Sequence, residues 1–150
     1  MATIKSLTGA GWLKDADDNF QSLKSLAGLH ITPFVFDTAA NDATSPTPVS
    51  NKTVAAHPLA VTIPDNAIVI GGHVDVITAV TSATQNSTVA IHLANADDVL
   101  TTTEGAEANL TLAAQIPMAA LKAAPIKLAA AKPVTVTVGT AALTAGKING

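Results

Sequence analysis

The cleanest hydrophobic pattern in the chain is KPVTVTVGT, residues 132–140, where Val134, Val136 and Val138 fall on one face and Thr135 and Thr137 on the other. A period of two marks a strand buried on one side. The same reading over 54–64 groups Leu59, Val61 and Ile63, and over 67–80 it groups Val74, Val76 and Val80. Over 87–93 it turns Val89, Ile91 and Leu93 inward and His92 outward. Residues 30–37 add a strand with Phe34 and Phe36 on one face, and Pro33 places it at a sheet edge or a strand start. Shorter strands are predicted at 99–103, at 126–128 and from Leu143 to Ile148. Gly71-Gly72, inside the 67–80 run, predicts a bulge or bend.

Turn chemistry separates these runs. Pro64-Asp65-Asn66, TSATQNS at 81–87, and Asn95 to Asp98 supply the Pro, Asn, Asp and Ser residues that turns favour. Residues 39–52, small and polar with Pro46 and Pro48, read as a loop. The Ala- and Leu-rich stretch 105–124 has no clear period and suits a helical turn or two, over Ala108 to Ala114 and Pro117 to Ala124. Ahead of the strands, residues 1–29 read as an arm. Phe20, Leu23, Leu26 and Ala27 recur there at helical spacing, and Asp17 or Asp18 caps a short helix ending at Gly28.

Short strands with turns between them predict an all-β fold, an antiparallel β-sandwich over residues 30–150 that holds the 39–52 loop and follows the 1–29 arm. No strand–helix rhythm supports a parallel sheet. Composition agrees, because Val and 20 Thr suit a pleated, half-buried surface. It also adds a complication. With 30 Ala, one Trp, three Phe and no Tyr, large apolar anchors are scarce, so packing against copies of itself or a partner is expected.

The absence of Cys excludes disulfides and thiolate metal centres. A net charge of −3, with 8 Lys and no Arg, gives neither a basic patch nor bidentate phosphate forks, so no nucleic-acid partner is expected. The most apolar stretch, 67–80, is interrupted by Gly71, Gly72, His73 and Asp75. It is shorter than the roughly 20 residues of a membrane span. With Lys5 and no unbroken apolar run at the start, no secretory signal is expected, and synthesis is expected in a cytoplasm.

Catalytic motifs are missing, and neither catalytic residues nor a cofactor are expected. The one constellation to weigh is His73-Val74-Asp75, whose i, i+2 spacing sets both polar groups on one strand face, with His92 a possible neighbour across the ladder. These three are candidates for a metal site or a carboxylate-oriented base. Alternation alone also puts such pairs on the outward face of a sheet, and no metal is expected. Asp97-Asp98 and Asp15, Asp17 and Asp18 read as turn and cap residues, and Glu104 and Glu107 as a solvated loop. His30 and His57 read as polar residues flanking strands. Asn51, Asn86 and Asn109 begin incidental glycosylation sequons. Candidates for partner contact lie in the arm, at Trp12, Phe20 and Leu23. Trp12 suits an anchor in a partner or a fold-back onto its own sandwich equally well.

Two stretches, VTIPDNAIVIGGHVDVITAVTSA at 61–83 and APIKLAAAKPVTVTVGTAALTAGK at 124–147, resemble capsid decoration, or cement, proteins of tailed bacteriophages. The resemblance covers about residues 60–147 and rests on Ile63-Pro64, Gly71-Gly72, Lys132-Pro133 and the run Leu143 to Lys147. It implies a jelly-roll type of sandwich and a homotrimer bound to the major capsid protein at capsomer junctions on the outer surface of the virion, after synthesis in the host bacterial cytoplasm. It brings no catalytic residues. Two other readings compete. One is a head or tail fibre module that recognises a host-surface glycan, which the shortage of aromatic rings weakens. The other is a small metal-dependent enzyme at His73, Asp75 and His92.

Overall fold

The computed structural model describes residues 30–44, 46–95, 98–118 and 125–150. The arm at 1–29, with its expected helix, lies outside the described residues, as do 119–124 of the second expected helical stretch. The chain divides between Ile31 and Thr32, and every described strand belongs to Thr32–Gly150.

Nine strands are described: β1 (Val35–Asp37), β2 (Ala56–Ile63), β3 (Ile68–Val69), β4 (His73–Ser82), β5 (Thr88–His92), β6 (Gln115–Pro117), β7 (Ile126–Lys127), β8 (Lys132–Gly139) and β9 (Leu143–Asn149). A single 3-10 turn, Glu107–Asn109, is the helical content of the described residues. Every strand pairing is antiparallel. One sheet runs β1-β9-β4-β6, a second runs β2-β8-β5, and β3 and β7 form a short ribbon. The fold is an all-β antiparallel sandwich.

Alternation explains the core. Phe34, Phe36, Val74, Val76, Val80, Leu143 and Ile148 come from the four-stranded sheet and its approach. Leu59, Val89, Ile91, Val134, Val136 and Val138 meet them from the three-stranded sheet. Val99, Leu100, Leu110 and Leu128, carried on connections, belong to the same cluster. Each fully buried Val, Leu, Ile or Phe contributes about 1.5–3 kcal/mol relative to exposure. Pro133 is the second residue of the central strand β8. Pro58 and Pro117 lie on the edge strands β2 and β6, where a missing N–H removes no obligatory bond.

Three local expectations change. The 67–80 run is two strands, because Gly71 and Gly72 end β3 and let β4 join a different sheet. Residues 99–103 are not a strand. Leu100 makes one bridge to Ile91 and the chain then turns over 102–105. The 105–124 stretch yields the 3-10 turn and then β6, too short at three residues to show a period.

Candidate functional site

β4 places His73 and Asp75 on the outer face of the four-stranded sheet, as their spacing predicts. His73 Nε2 stands 3.2 Å from Asp75 Oδ2 on an exposed surface. Asp75 faces Asn149 of β9 on one side and Gln115 of β6 on the other. Asp75 Oδ1 and Asn149 Oδ1 are buried and have no hydrogen-bond partner among the described residues. His92 does not join them. It is half-buried on β5, opposite Thr135 of β8, in the other sheet. The expected cross-ladder meeting fails because β4 takes β9 and β6 as neighbours, not the strand that follows it in sequence. Among the described residues no group of three His, Cys, Asp or Glu could hold a metal ion.

The same outer face carries apolar side chains. Val35 shares a row with Asn149, Asp75 and Gln115 and is 52% exposed. Ile77 and Leu112, 47% and 68% exposed, flank a shallow groove of about 310 Å³ lined by Asp75–Ile77 and Leu112–Gln115. The groove floor is held by main-chain bonds. Val76 N–H donates to the Ala114 carbonyl at 2.9 Å, and Ala113 N–H to the Val76 carbonyl at 2.9 Å.

Two polar centres escaped sequence reasoning. His57 does not flank a strand. It is fully buried on the inward face of β2, one step before Leu59 in the same alternating set. The period-two signal was present, but a histidine at the start of an apolar run reads as polar punctuation. Its partner Asp42 sits in the 38–55 loop and accepts from the Thr44 and Val49 N–H groups at 3.0 and 2.9 Å. Burial works against the Asp42 charge, but those N–H groups, the Thr44 hydroxyl and His57 overcome it and hold the carboxyl at about 2.

Glu107 is the second centre, and it is not a solvated loop residue. Half-buried, it accepts from Ser82 N–H and Oγ at 2.9 and 2.7 Å and from Ser87 N–H and Oγ at 3.1 and 2.7 Å. Burial again raises its carboxyl, and the two serines outweigh it and bring it to about 2. No sequence spacing announces this clasp, because its serines lie 20 and 25 residues away. Glu104 accepts from Thr101 N–H and Oγ1. Asp98 accepts from the Leu93, Ala94 and Asn95 N–H groups at 2.8–2.9 Å, the turn role expected of it. The Asn51 sequon is closed, since Asn51 is buried and its amide donates to the Asp37 carbonyl at 2.9 Å. Trp12, Phe20 and Leu23 lie outside the described residues.

No protein-family model, curated protein or solved structure matches this chain.

Proposed function

We propose that this protein is a structural virion component: a decoration, or cement, protein that binds the outer surface of a tailed-phage capsid at capsomer junctions as a homotrimer. The observation that carries this reading is the outer face of the four-stranded sheet. There Ile77 and Leu112 stand exposed beside a shallow groove whose backbone is already hydrogen-bonded, and Val35 is exposed on the same face. Exposed apolar side chains grouped on rigid strands suit burial against another protein surface. The resemblance carried by 61–83 and 124–147 supports the same reading. The partners are the major capsid protein and further copies of this chain, and no cofactor enters.

Such a protein acts by linkage. It binds the assembled lattice better than free capsomers and so stabilises the shell by mass action. Three copies on one axis multiply each weak contact through their high effective concentration. Light scattering after size exclusion checks the first step. A trimer has a mass of about 45 kDa, three times the 15.0 kDa chain, and is expected to sediment with purified capsids. A 15 kDa monomer that never sediments with shells would overturn the proposal and move glycan recognition ahead of it.

A further inference from the structure

His57 ties together the two limbs of the 38–55 loop. Its Nδ1 stands 3.2 Å from Asp42 Oδ2 on the outgoing limb, and its Nε2 stands 2.9 Å from the Thr53 carbonyl oxygen on the returning limb. The His57 and Asp42 side chains are 0% and 1% exposed. A carbonyl oxygen has no hydrogen to give, and neither has an ionised carboxylate. Asp42 is ionised at neutral pH, given the N–H groups that surround it. Both ring nitrogens therefore face acceptors. A neutral imidazole carries a single N–H and satisfies one of them, whereas the imidazolium satisfies both.

We propose that His57, Asp42 and Thr53 form a pH-sensitive clasp on the 38–55 loop, closed while both ring nitrogens donate and loosened when one proton leaves. Loss of that proton leaves one acceptor without its bond, either the buried Asp42 carboxylate or the carbonyl of Thr53, an exposed residue. Other bonds also fasten the loop to the sandwich: Thr38 N–H donates to the Gly146 carbonyl, Leu143 N–H to the Lys52 carbonyl and Val138 N–H to the Ala55 carbonyl. Ala43 N–H donates to the Pro58 carbonyl, and the Asn51 amide donates to the Asp37 carbonyl.

The surroundings leave Asp42 as the charge that faces the ring. β1 contributes the Phe36 ring, 6.2 Å away between centroids. The Asp37 carboxylate on that strand is occupied by the Ala39 N–H and by Lys147. β8 sets Val136 opposite His57, and its Lys132 pairs with Ile63 at the far end of β2. Lys52, on the loop, is exposed. The protonated ring is the form that the folded clasp binds, so the clasp holds on the acid side and loosens on the alkaline side.

The test is long-range 1H–15N correlation of the imidazole rings between pH 5 and 8.5, read beside hydrogen exchange at the Thr44, Val49 and Asn51 amides corrected for base catalysis. The expected result is two protonated nitrogens on His57 at the acid end and one at the alkaline end. Protection at Thr44 and Val49 should fall about tenfold in step with that change. His57→Gln should abolish the pH dependence of protection, and His92→Gln should keep it. Should His57→Gln fail to fold, the wild-type ring signals and amide protection decide the matter alone. A His57 ring that keeps one protonation state across the range, or protection that does not move as the ring titrates, overturns the proposal.

Discussion

Glu107 shows how far a single carboxylate can organise this sandwich. Its two oxygens take four hydrogen bonds from Ser82 and Ser87 and so close the turn between β4 and β5. Glu107→Gln replaces one acceptor with an amide that donates, leaving serine groups facing a donor. We expect a loss of about 1–3 kcal/mol, read as a lowered urea midpoint at unchanged slope; an unmoved midpoint would mean that solvent serves these serines as well as Glu107 does. The same carboxylate fixes an acid limit. Asp42 and Glu107 are held at about 2, below their ordinary values of 3.8 and 4.5. Groups lowered by folding stabilise in full above the unfolded value and lose that contribution as pH falls through the folded one. Melting temperature should therefore drop between pH 4.5 and 2, and Glu107→Gln should flatten that drop; parallel curves for variant and wild type would remove Glu107 from the explanation. Neither centre was legible in the chain as a pair. Residue identity names a carboxylate, but its partners are a matter of tertiary register.

Among the elements, legibility tracked length and purity of alternation. β8 reads directly from its Val–Thr run, and the inward sets of β2, β4 and β5 fall where period two puts them. β6, of three residues, is too short to carry a period, and its pairing decides its existence, whereas β3 and β7 fall inside strands expected over 67–80 and 126–128. The partnership of His92 with His73 and Asp75 failed for a related reason. Alternation gives the face of a strand but not its neighbour, and β5 pairs with β8. Close approach is also invisible in a pattern. Gly105 lies so tightly against β5 that an added Cβ would run into the Val89 carbonyl oxygen, whose own N–H donates to the Gly105 carbonyl at 2.8 Å. Gly105→Ala must push the 99–106 segment off β5, a change expected to cost about 1–3 kcal/mol. Thermal unfolding measures it, and a variant as stable as the parent would show that the segment yields freely.

Among the described residues, the outer face of the four-stranded sheet carries exposed apolar side chains that the core does not use. If the outer face of the four-stranded sheet is the contact surface, Ile77→Lys with Leu112→Lys should abolish sedimentation with capsids while leaving the monomer's melting temperature within about 1–2 °C, since exposed positions carry little folding energy. Retained capsid binding in that double variant would place the contact elsewhere. The sandwich was foreseeable because small β-branched residues alternate along most of its length. The face was not, because an exposed Ile or Leu in a sequence looks the same as one bound for the core.

One more property follows from the pairing of β1 with β9. Phe34 and Gly150 exchange both main-chain bonds, at 2.8 and 3.1 Å, and Thr38 donates to the Gly146 carbonyl across a separation of 108 residues. Closing a hundred-residue interval costs about 2 kcal/mol more in chain entropy than closing a ten-residue hairpin. β1 therefore docks late, and refolding belongs to the slow, high-contact-order range of milliseconds to seconds. Until it docks, β9 offers an unpaired flank, and the β1 of a neighbouring molecule fits that flank as well as its own does. Crowded refolding is thus the condition under which two chains trade first strands.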